Sequence, residues 1–190
     1  MTSDAGRDPS APIVVERRTR ETAVRVQVAE GTLLADARAV IRTGEAFLDH
    51  MLVTLARYAA VDLRIEASGD LRHHLVEDVA IAVGTAIARH QPANSARYGH
   101  WTIPMDDALV EVALDLGGRP YYRGPLPSRL YDHWMRSFSD HARATLHVRV
   151  VRGRDRHHVI EAAFKGLGVA LRQALCATPT TMSTKGPVTW

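Results

Sequence analysis

The feature that most constrains the fold is an internal repeat built on paired histidines. The segment His73–Glu77 reads HHLVE, and the segment His157–Glu161 reads HHVIE, 84 positions later. When the two segments are superposed, Gly84 falls on Gly168. Self-similarity at one fixed spacing indicates two copies of a single structural unit. We therefore expect two similar halves, each with a similar set of polar residues.

The pattern of strands and helices also occurs twice. Alternating apolar residues predict strands at 21–31, 61–70, 107–122 and 145–155. Helical spacing predicts helices at 46–59 and 132–144 and after each histidine pair. This order predicts an internally duplicated α+β fold, with each half a small β-sheet covered on one face by helices. We expect an N-terminal tail at 1–12, a first repeat at 13–93, a second repeat at 94–178, and a C-terminal tail at 179–190.

Composition excludes some classes of protein. The 190 residues are 46% hydrophobic and 24% charged, which is ordinary for a globular domain. No run approaches the roughly 18 apolar residues of a membrane-spanning helix, and residues 1–12 lack the apolar core of a signal peptide. The single cysteine, Cys176, excludes an intrachain disulfide and a cysteine-based zinc site. A net charge of +3 without a basic and aromatic run gives little support for nucleic-acid binding.

The histidine pairs favour a metal site over surface accident, because the pair recurs in register. Adjacent helical residues diverge by about 100°, so a pair suits two different ions, or one ion and a neighbouring subunit. Imidazole and carboxylate ligands suit Mn²⁺, Fe²⁺, Zn²⁺ or Co²⁺. The remaining histidines lack the support of the repeat and are expected to be solvated or to cap helices; they are His90, His100, His133 and His141.

The chain resembles the imidazoleglycerol-phosphate dehydratase family, in family order from about Glu16 to Gly186. The matching segments include ERRTRET, FLDHML, HHLVED, RYG, IPMDDAL, LDLGGRPY, TLHVRV, HHVIEAAFKGLGVALRQAL and STKG. The resemblance implies a cytoplasmic enzyme of histidine biosynthesis, two Mn²⁺ ions per site, and a homo-oligomer of 24 subunits with sites between subunits. The ligands that it implies are His50, His73, His74, Glu77, His147, His157, His158 and Glu161.

The implied reaction removes water from imidazole glycerol phosphate through a metal-stabilised imidazolate. The resemblance assigns proton transfer to Glu21 and further catalytic roles to the ligand carboxylates Glu77 and Glu161. It assigns phosphate and substrate contacts to Arg97, Arg119, Lys165, Ser183 and Lys185. The last two lie on the C-terminal tail, which in the family closes near the substrate.

Several positions depart from the family pattern. The segment between Gly69 and His73 and the stretch after Tyr121 are short, and Tyr58, Arg72 and Leu75 replace the usual residues. These departures leave open a paralogue that keeps the two-metal core but acts on another azole or phosphorylated molecule. A metal-binding assembly protein without catalysis is an alternative from another class. It would not need to retain Glu21.

Overall fold

The computed structural model describes residues 11–31 and 40–179. Most of the expected N-terminal tail, nearly all of the C-terminal tail, and the residues Ser183 and Lys185 therefore lie outside the described residues. Each half contains four strands and two helices in the order βββαβα. The predicted duplicated α+β fold is confirmed.

The first half forms a four-stranded sheet with strand order β1-β2-β4-β3. Neighbouring strands are antiparallel except for the parallel pair β3–β4. Inward residues of β2 such as Val24 and Val26 are buried, whereas Arg25 between them faces solvent. This alternation places one face of the sheet against helices. The elements are β1 Ile13–Arg18, β2 Thr22–Glu30, β3 Val40–Arg42, α1 Ala46–Ala59, β4 Val61–Gly69 and α2 Arg72–His90.

The second half repeats this topology with strand order β5-β6-β8-β7. The parallel pair is β7–β8, in the same place as β3–β4. A shift of register between Leu109 and Val110 interrupts the pairing of β6 with β8. The elements are β5 Tyr98–Met105, β6 Ala108–Asp115, β7 Tyr121–Arg123, α3 Arg129–His141, β8 Thr145–Arg152 and α4 Arg156–Leu175.

The helices pair across the two halves. Helix α2 packs on β1, β2 and β4, and its other neighbour is α3 from the second half. Helix α4 packs on β5 and β6, and its other neighbour is α1 from the first half. The ring of Trp134 lies between those of Phe138 and Phe164, with centroid distances of 5.4 and 4.6 Å. The buried side chains of both halves form one continuous core.

The repeated glycines make this crossed packing possible. A Cβ atom on Gly84 would lie 2.6 Å from the carbonyl oxygen of Phe138 on α3. A Cβ atom on Gly168 would lie 2.9 Å from the carbonyl oxygen of Leu55 on α1. Both distances are shorter than a side chain tolerates. The two glycines therefore recur in the sequence because both helix pairs approach at backbone contact.

The element boundaries agree with the sequence predictions in most places. Helix α1 has the predicted bounds, whereas the helix expected at 132–144 spans Arg129–His141. The segment 107–122, expected to be a strand that ends in a Gly-Gly-Arg-Pro turn, contains β6 and that turn, in which Gly118 has a φ of 79°, and β7 begins directly after it. Strands β1, β3 and β5 were not predicted. None of the described helices is long and apolar enough to span a membrane.

Candidate active site

The first cluster of potential ligands joins α1 to the start of α4. His50 Nε2 lies 3.3 Å from Glu161 Oε2, and His157 Nε2 lies 3.0 Å from the same oxygen. His157 and Glu161 are four residues apart on α4, so both face α1. The ligand atoms of the three residues lie within 4.8 Å of one another. That spacing allows all three to reach a single ion.

Glu161 is an ionised carboxylate in a mostly buried position. Its residue is 8% exposed, and Lys165 Nζ lies 3.0 Å from its second oxygen, Oε1. Burial alone would raise the pKa of Glu161, but hydrogen bonds from Lys165 and His50 outweigh it and hold the pKa below its usual value. A buried anion with one oxygen turned toward two imidazoles is suited to bind a cation.

The second cluster joins the start of α2 to α3. His133 Nε2 lies 3.2 Å from Glu77 Oε1, and His73 Nε2 lies 4.0 Å from Glu77 Oε2. The rings of His73 and His133 are stacked at a centroid distance of 5.1 Å. Within the described residues, His133 Nε2 is buried without a hydrogen-bond partner. A nitrogen that is close to a carboxylate oxygen yet makes no hydrogen bond is suited to a metal ion.

The expectation that His133 is solvated or caps a helix is wrong, because its ring is half-buried against His73 and Glu77. A signal for this position exists in the sequence. Asp49-His50 on α1 recurs as Asp132-His133 on α3, 83 positions later rather than 84. Both aspartates tie the preceding loop to their helix: Asp49 accepts from the backbone N–H of Thr43, and Asp132 accepts from that of Leu126. His133 is therefore the counterpart of His50.

The second histidine of the first pair faces a different group of carboxylates. His74 Nδ1 lies 2.9 Å from Glu21 Oε2 and 3.7 Å from Asp70 Oδ1. The contact with Glu21 is close but lacks hydrogen-bond geometry, and His74 Nδ1 has no hydrogen-bond partner among the described residues. Glu21 is in the turn between β1 and β2, where its N–H donates to Thr19 Oγ1 and its carbonyl accepts from the N–H of Asp70.

A buried carboxylate anchors this turn to α2. Asp78 is 7% exposed. It accepts hydrogen bonds from Arg17 Nε at 2.7 Å and from the hydroxyl of Thr22. Thr22 follows Glu21 directly, and Asp78 follows Glu77 directly. The pair of contacts therefore fixes the position of Glu21 relative to the second cluster.

The second histidine of the other pair faces the turn between β5 and β6. His158 Nδ1 is hydrogen-bonded to Asp107 Oδ1 at 2.8 Å, and His158 Nε2 lies 3.4 Å from Asp106 Oδ2. The other oxygen of Asp107 accepts from the backbone N–H groups of Arg154 and Asp155. The backbone N–H of Arg154, followed by His158, lowers the pKa of Asp107 well below its usual range. The bond to Asp107 raises the pKa of His158.

The donor atoms fit a divalent transition metal. Each of the first two clusters offers two imidazole nitrogens and one carboxylate, a set typical of Mn²⁺, Fe²⁺, Co²⁺ and Zn²⁺ sites. Three protein ligands leave coordination positions for further groups. The second histidines are not placed to fill them within one chain, because His158 is hydrogen-bonded to Asp107 and His74 lies against Glu21.

Comparison with known proteins identifies the family. Residues 43–171 match the model of the family described as imidazoleglycerol-phosphate dehydratase. The chain belongs to the imidazoleglycerol-phosphate dehydratase family. The protein of that name from Halorhodospira halophila is 44% identical over 176 residues, covering 85% of this chain and 88% of that protein. Its counterpart from Salinibacter ruber is 45% identical over 176 residues, covering 85% and 86%.

Solved structures of the dehydratase family have the same fold. The crystal structure of the enzyme from Pyrococcus furiosus in complex with (S)-C348 superposes with a TM-score of 0.82 at 37% identity, covering 92% of this chain and 100% of that chain. The structure from Staphylococcus aureus gives a TM-score of 0.76 at 31% identity, covering 87% and 100%.

His147, a ligand implied by the family resemblance, belongs to none of these clusters in the described part of the chain. His147 lies on β8 with its side chain on the exposed face of the sheet, 5.6 Å from the ring of Tyr121 between centroids. The clusters lie at the starts of helices on the other side of the sheet. The resemblance implies sites between subunits, so a ligand role for His147 stays a prediction.

The basic residues expected at the phosphate have different surroundings. Arg97 has a φ of 66° and donates to both oxygens of Asp115 at 3.0 and 3.1 Å. The carbonyl of Arg119 accepts from the hydroxyl of Thr145, and its side chain is exposed. Lys165 contacts Glu161 in the first cluster. Their roles at a phosphate stay predictions.

The positions that depart from the dehydratase pattern are accommodated locally. Arg72 Nε lies 2.6 Å from Glu45 Oε2, so its charge is paired with Glu45 beside the histidines. Leu75 is 6% exposed and belongs to the core. Lys165 Nζ lies 5.9 Å from the centroid of the Tyr58 ring. None of these side chains comes between the members of a cluster.

Proposed function

We propose that the chain catalyses the dehydration of imidazoleglycerol phosphate to imidazole acetol phosphate in histidine biosynthesis, with Mn²⁺ as its cofactor. The observation that carries this proposal is the pair of equivalent His/His/Glu clusters in a chain of the dehydratase family. His50, His157 and Glu161 would hold one ion. His73, Glu77 and His133 would hold another.

The second histidine of each pair would complete a site on a neighbouring chain. In its own chain His74 Nδ1 lies 2.9 Å from Glu21 Oε2, and His158 Nδ1 is hydrogen-bonded to Asp107. Among the described residues neither histidine is grouped with the His/His/Glu cluster that contains its sequence neighbour. Sites shared between chains would make metal binding and assembly interdependent. We propose a particle of 24 subunits with inter-subunit sites on the strength of the family resemblance.

The chemistry divides between the bound ions and the side chains. A bound divalent ion would supply Lewis acidity at the imidazole of the substrate, which would ease the loss of a proton from the adjoining glycerol chain. Glu21 would accept the proton that leaves carbon, and the electrons of that C–H bond would expel the hydroxyl from the neighbouring carbon, so that proton and hydroxide together leave as water. The Glu21 carboxylate suits this role because it is half-exposed and accepts no hydrogen bond from the described residues. Lys165 keeps Glu161 ionised. Glu77 and Glu161 therefore contribute as ligand anions.

The phosphate would be bound by basic groups. Arginine donates to phosphate oxygens in a planar fork, and Arg119 presents such a group beside the Gly117–Gly118 turn. We assign Arg97, Lys165, Ser183 and Lys185 to the same substrate-binding role on the strength of the family resemblance. The partly buried ion pair of Arg97 with Asp115 fixes the start of β5 as well.

A turnover assay tests the proposal. Metal-stripped protein is loaded with Mn²⁺ and given imidazoleglycerol phosphate, and imidazole acetol phosphate and particle size are followed in the same samples. We expect product only with metal, together with growth of the particle. Assembly with bound metal but without product would reject this substrate and favour a paralogue. Product without any divalent metal would reject the metal-dependent mechanism.

A further inference from the structure

The turns between the first two strands of each half carry equivalent carboxylates. Glu21 lies in the turn between β1 and β2 and contacts His74 Nδ1 at 2.9 Å. Asp107 lies at the end of the turn between β5 and β6 and contacts His158 Nδ1 at 2.8 Å. His74 and His158 are equivalent in the repeat. Each half therefore places a carboxylate oxygen beside Nδ1 of the second histidine of its pair.

The two carboxylates differ in how firmly they are held. Asp107 uses Oδ2 to accept from two backbone N–H groups, at 2.6 and 3.1 Å, and Oδ1 to accept from His158. Among the described residues no hydrogen bond ends on the Glu21 carboxylate. The contact of Asp107 with His158 is a hydrogen bond, whereas that of Glu21 with His74 lacks the required geometry.

We infer that Asp107 is a positioning residue that orients His158 as a metal ligand, while its counterpart Glu21 remains free for proton transfer. This inference rests on the proposed function for the presence of the metal. A proton on His158 Nδ1 that is donated to Asp107 leaves the lone pair on Nε2, the atom that would bind the metal, which lies 3.4 Å from the exposed Asp106 Oδ2. Carboxylates that fix a ligating imidazole in this way commonly raise its affinity for metal.

An isosteric substitution tests the inference sharply, because both oxygens of Asp107 act only as acceptors. In Asp107→Asn one oxygen is replaced by an NH₂ donor. The side chain can satisfy either His158 or the two backbone N–H groups, but not both. We expect the affinity for Mn²⁺ to fall by about 10- to 100-fold. The affinity is measured by the electron paramagnetic resonance signal of free Mn²⁺ during titration of the metal-free protein.

Two further variants separate positioning from charge and from folding. Asp106→Asn removes an equal charge one residue away, from a side chain that is 69% exposed and makes no hydrogen bond to His158 in the described structure, and should lower the affinity less than Asp107→Asn does. In a His158→Ala background, Asp107→Asn should cause no additional loss, because its effect passes through the imidazole. Thermal unfolding of the metal-free proteins checks that each variant folds.

Three results would overturn the inference. They are an unchanged affinity in Asp107→Asn, equal losses in Asp107→Asn and Asp106→Asn, and a further loss from Asp107→Asn when His158 is already absent. Because binding is titrated without substrate, failure of the parent to turn over imidazoleglycerol phosphate would reject the proposed reaction without affecting these measurements.

Discussion

His133 Nε2 on α3 lies 3.2 Å from Glu77 Oε1 on α2, although the two residues belong to opposite halves of the chain. The nitrogen is buried and makes no hydrogen bond to any described residue. In the other cluster His50 Nε2 on α1 lies 3.3 Å from Glu161 Oε2 on α4, again across the two halves. Each cluster therefore takes one histidine from one half and a histidine and a glutamate from the other.

His133→Ala should weaken Mn²⁺ binding as strongly as His50→Ala, because each removes one of three ligands from equivalent clusters. His141→Ala is the matched control on the same helix. Among the described residues His141 Nδ1 is hydrogen-bonded only to the carbonyl of Ser137 in its own helix, so its loss should leave the metal content unchanged. Metal content after dialysis, measured by elemental analysis, distinguishes a metal ligand from a residue outside the site. Full metal content in His133→Ala would remove this residue from the ligand set.

Glu21→Gln should retain Mn²⁺ and particle size while losing turnover. The amide keeps the shape of the side chain but cannot accept a proton, and general-base catalysis typically contributes a factor of about 10² to 10⁴ in rate. The turn itself should persist, since Thr19, Thr22 and Asp78 hold its backbone. Steady-state kinetics on the assembled particle measures the effect. Full activity would show that Glu21 does not transfer the proton.

Variants of the two neighbouring histidines on α4 should complement each other. His157→Ala damages the cluster in its own chain, whereas His158→Ala damages the ligand that a chain would give to its neighbour. Each should be inactive alone and defective in metal binding and assembly. When metal-free chains of both variants are mixed and Mn²⁺ is added, some sites contain an intact cluster and an intact donor. Activity should return in part. A mixture that stays inactive would argue against sites shared between chains.

Gly84→Ala and Gly168→Ala should each destabilise the fold, because the new methyl group meets backbone across a helix pair. Overpacking of this kind typically costs about 1–3 kcal/mol, whereas alanine in place of a helical glycine otherwise adds stability. Thr85→Ala is the control. Its hydroxyl bonds only within its own helix, and a change of about 0.5 kcal/mol or less is expected. Denaturant unfolding of metal-free protein would contradict the packing argument if both glycine variants were more stable than the parent.

The sequence allowed the paired strands and long helices to be predicted, because their apolar spacing is regular over eight or more residues. Strand β3 has only three residues and pairs in parallel with β4, so its partner is not evident from local pattern. Strand β5 contains Pro104, and its burial does not alternate. Its register depends on β6, which only tertiary structure supplies.

The ligand clusters were predicted in part for a related reason. His73, Glu77, His157 and Glu161 share one spacing and could be found from the repeat. His133 could not be found at that spacing, because the first helices of the two halves are related by an offset of 83. His147 was grouped with the ligands by resemblance, but strand alternation turns it to the exposed face. The pairing of His158 with Asp107 depends on the turn between β5 and β6 meeting the start of α4.

The crossed pairing of α1 with α4 and α3 with α2 means that neither half is a metal-binding module. A polypeptide of the first half alone would contain His50 without Glu161 and Glu77 without His133. Two copies of such a polypeptide would have to exchange helices, as in a domain-swapped dimer, before either cluster could form. In the full chain the same exchange occurs within one molecule. Ions in the two clusters would therefore cross-link the two halves. Removing them should weaken the packing of the halves against each other before either sheet unfolds.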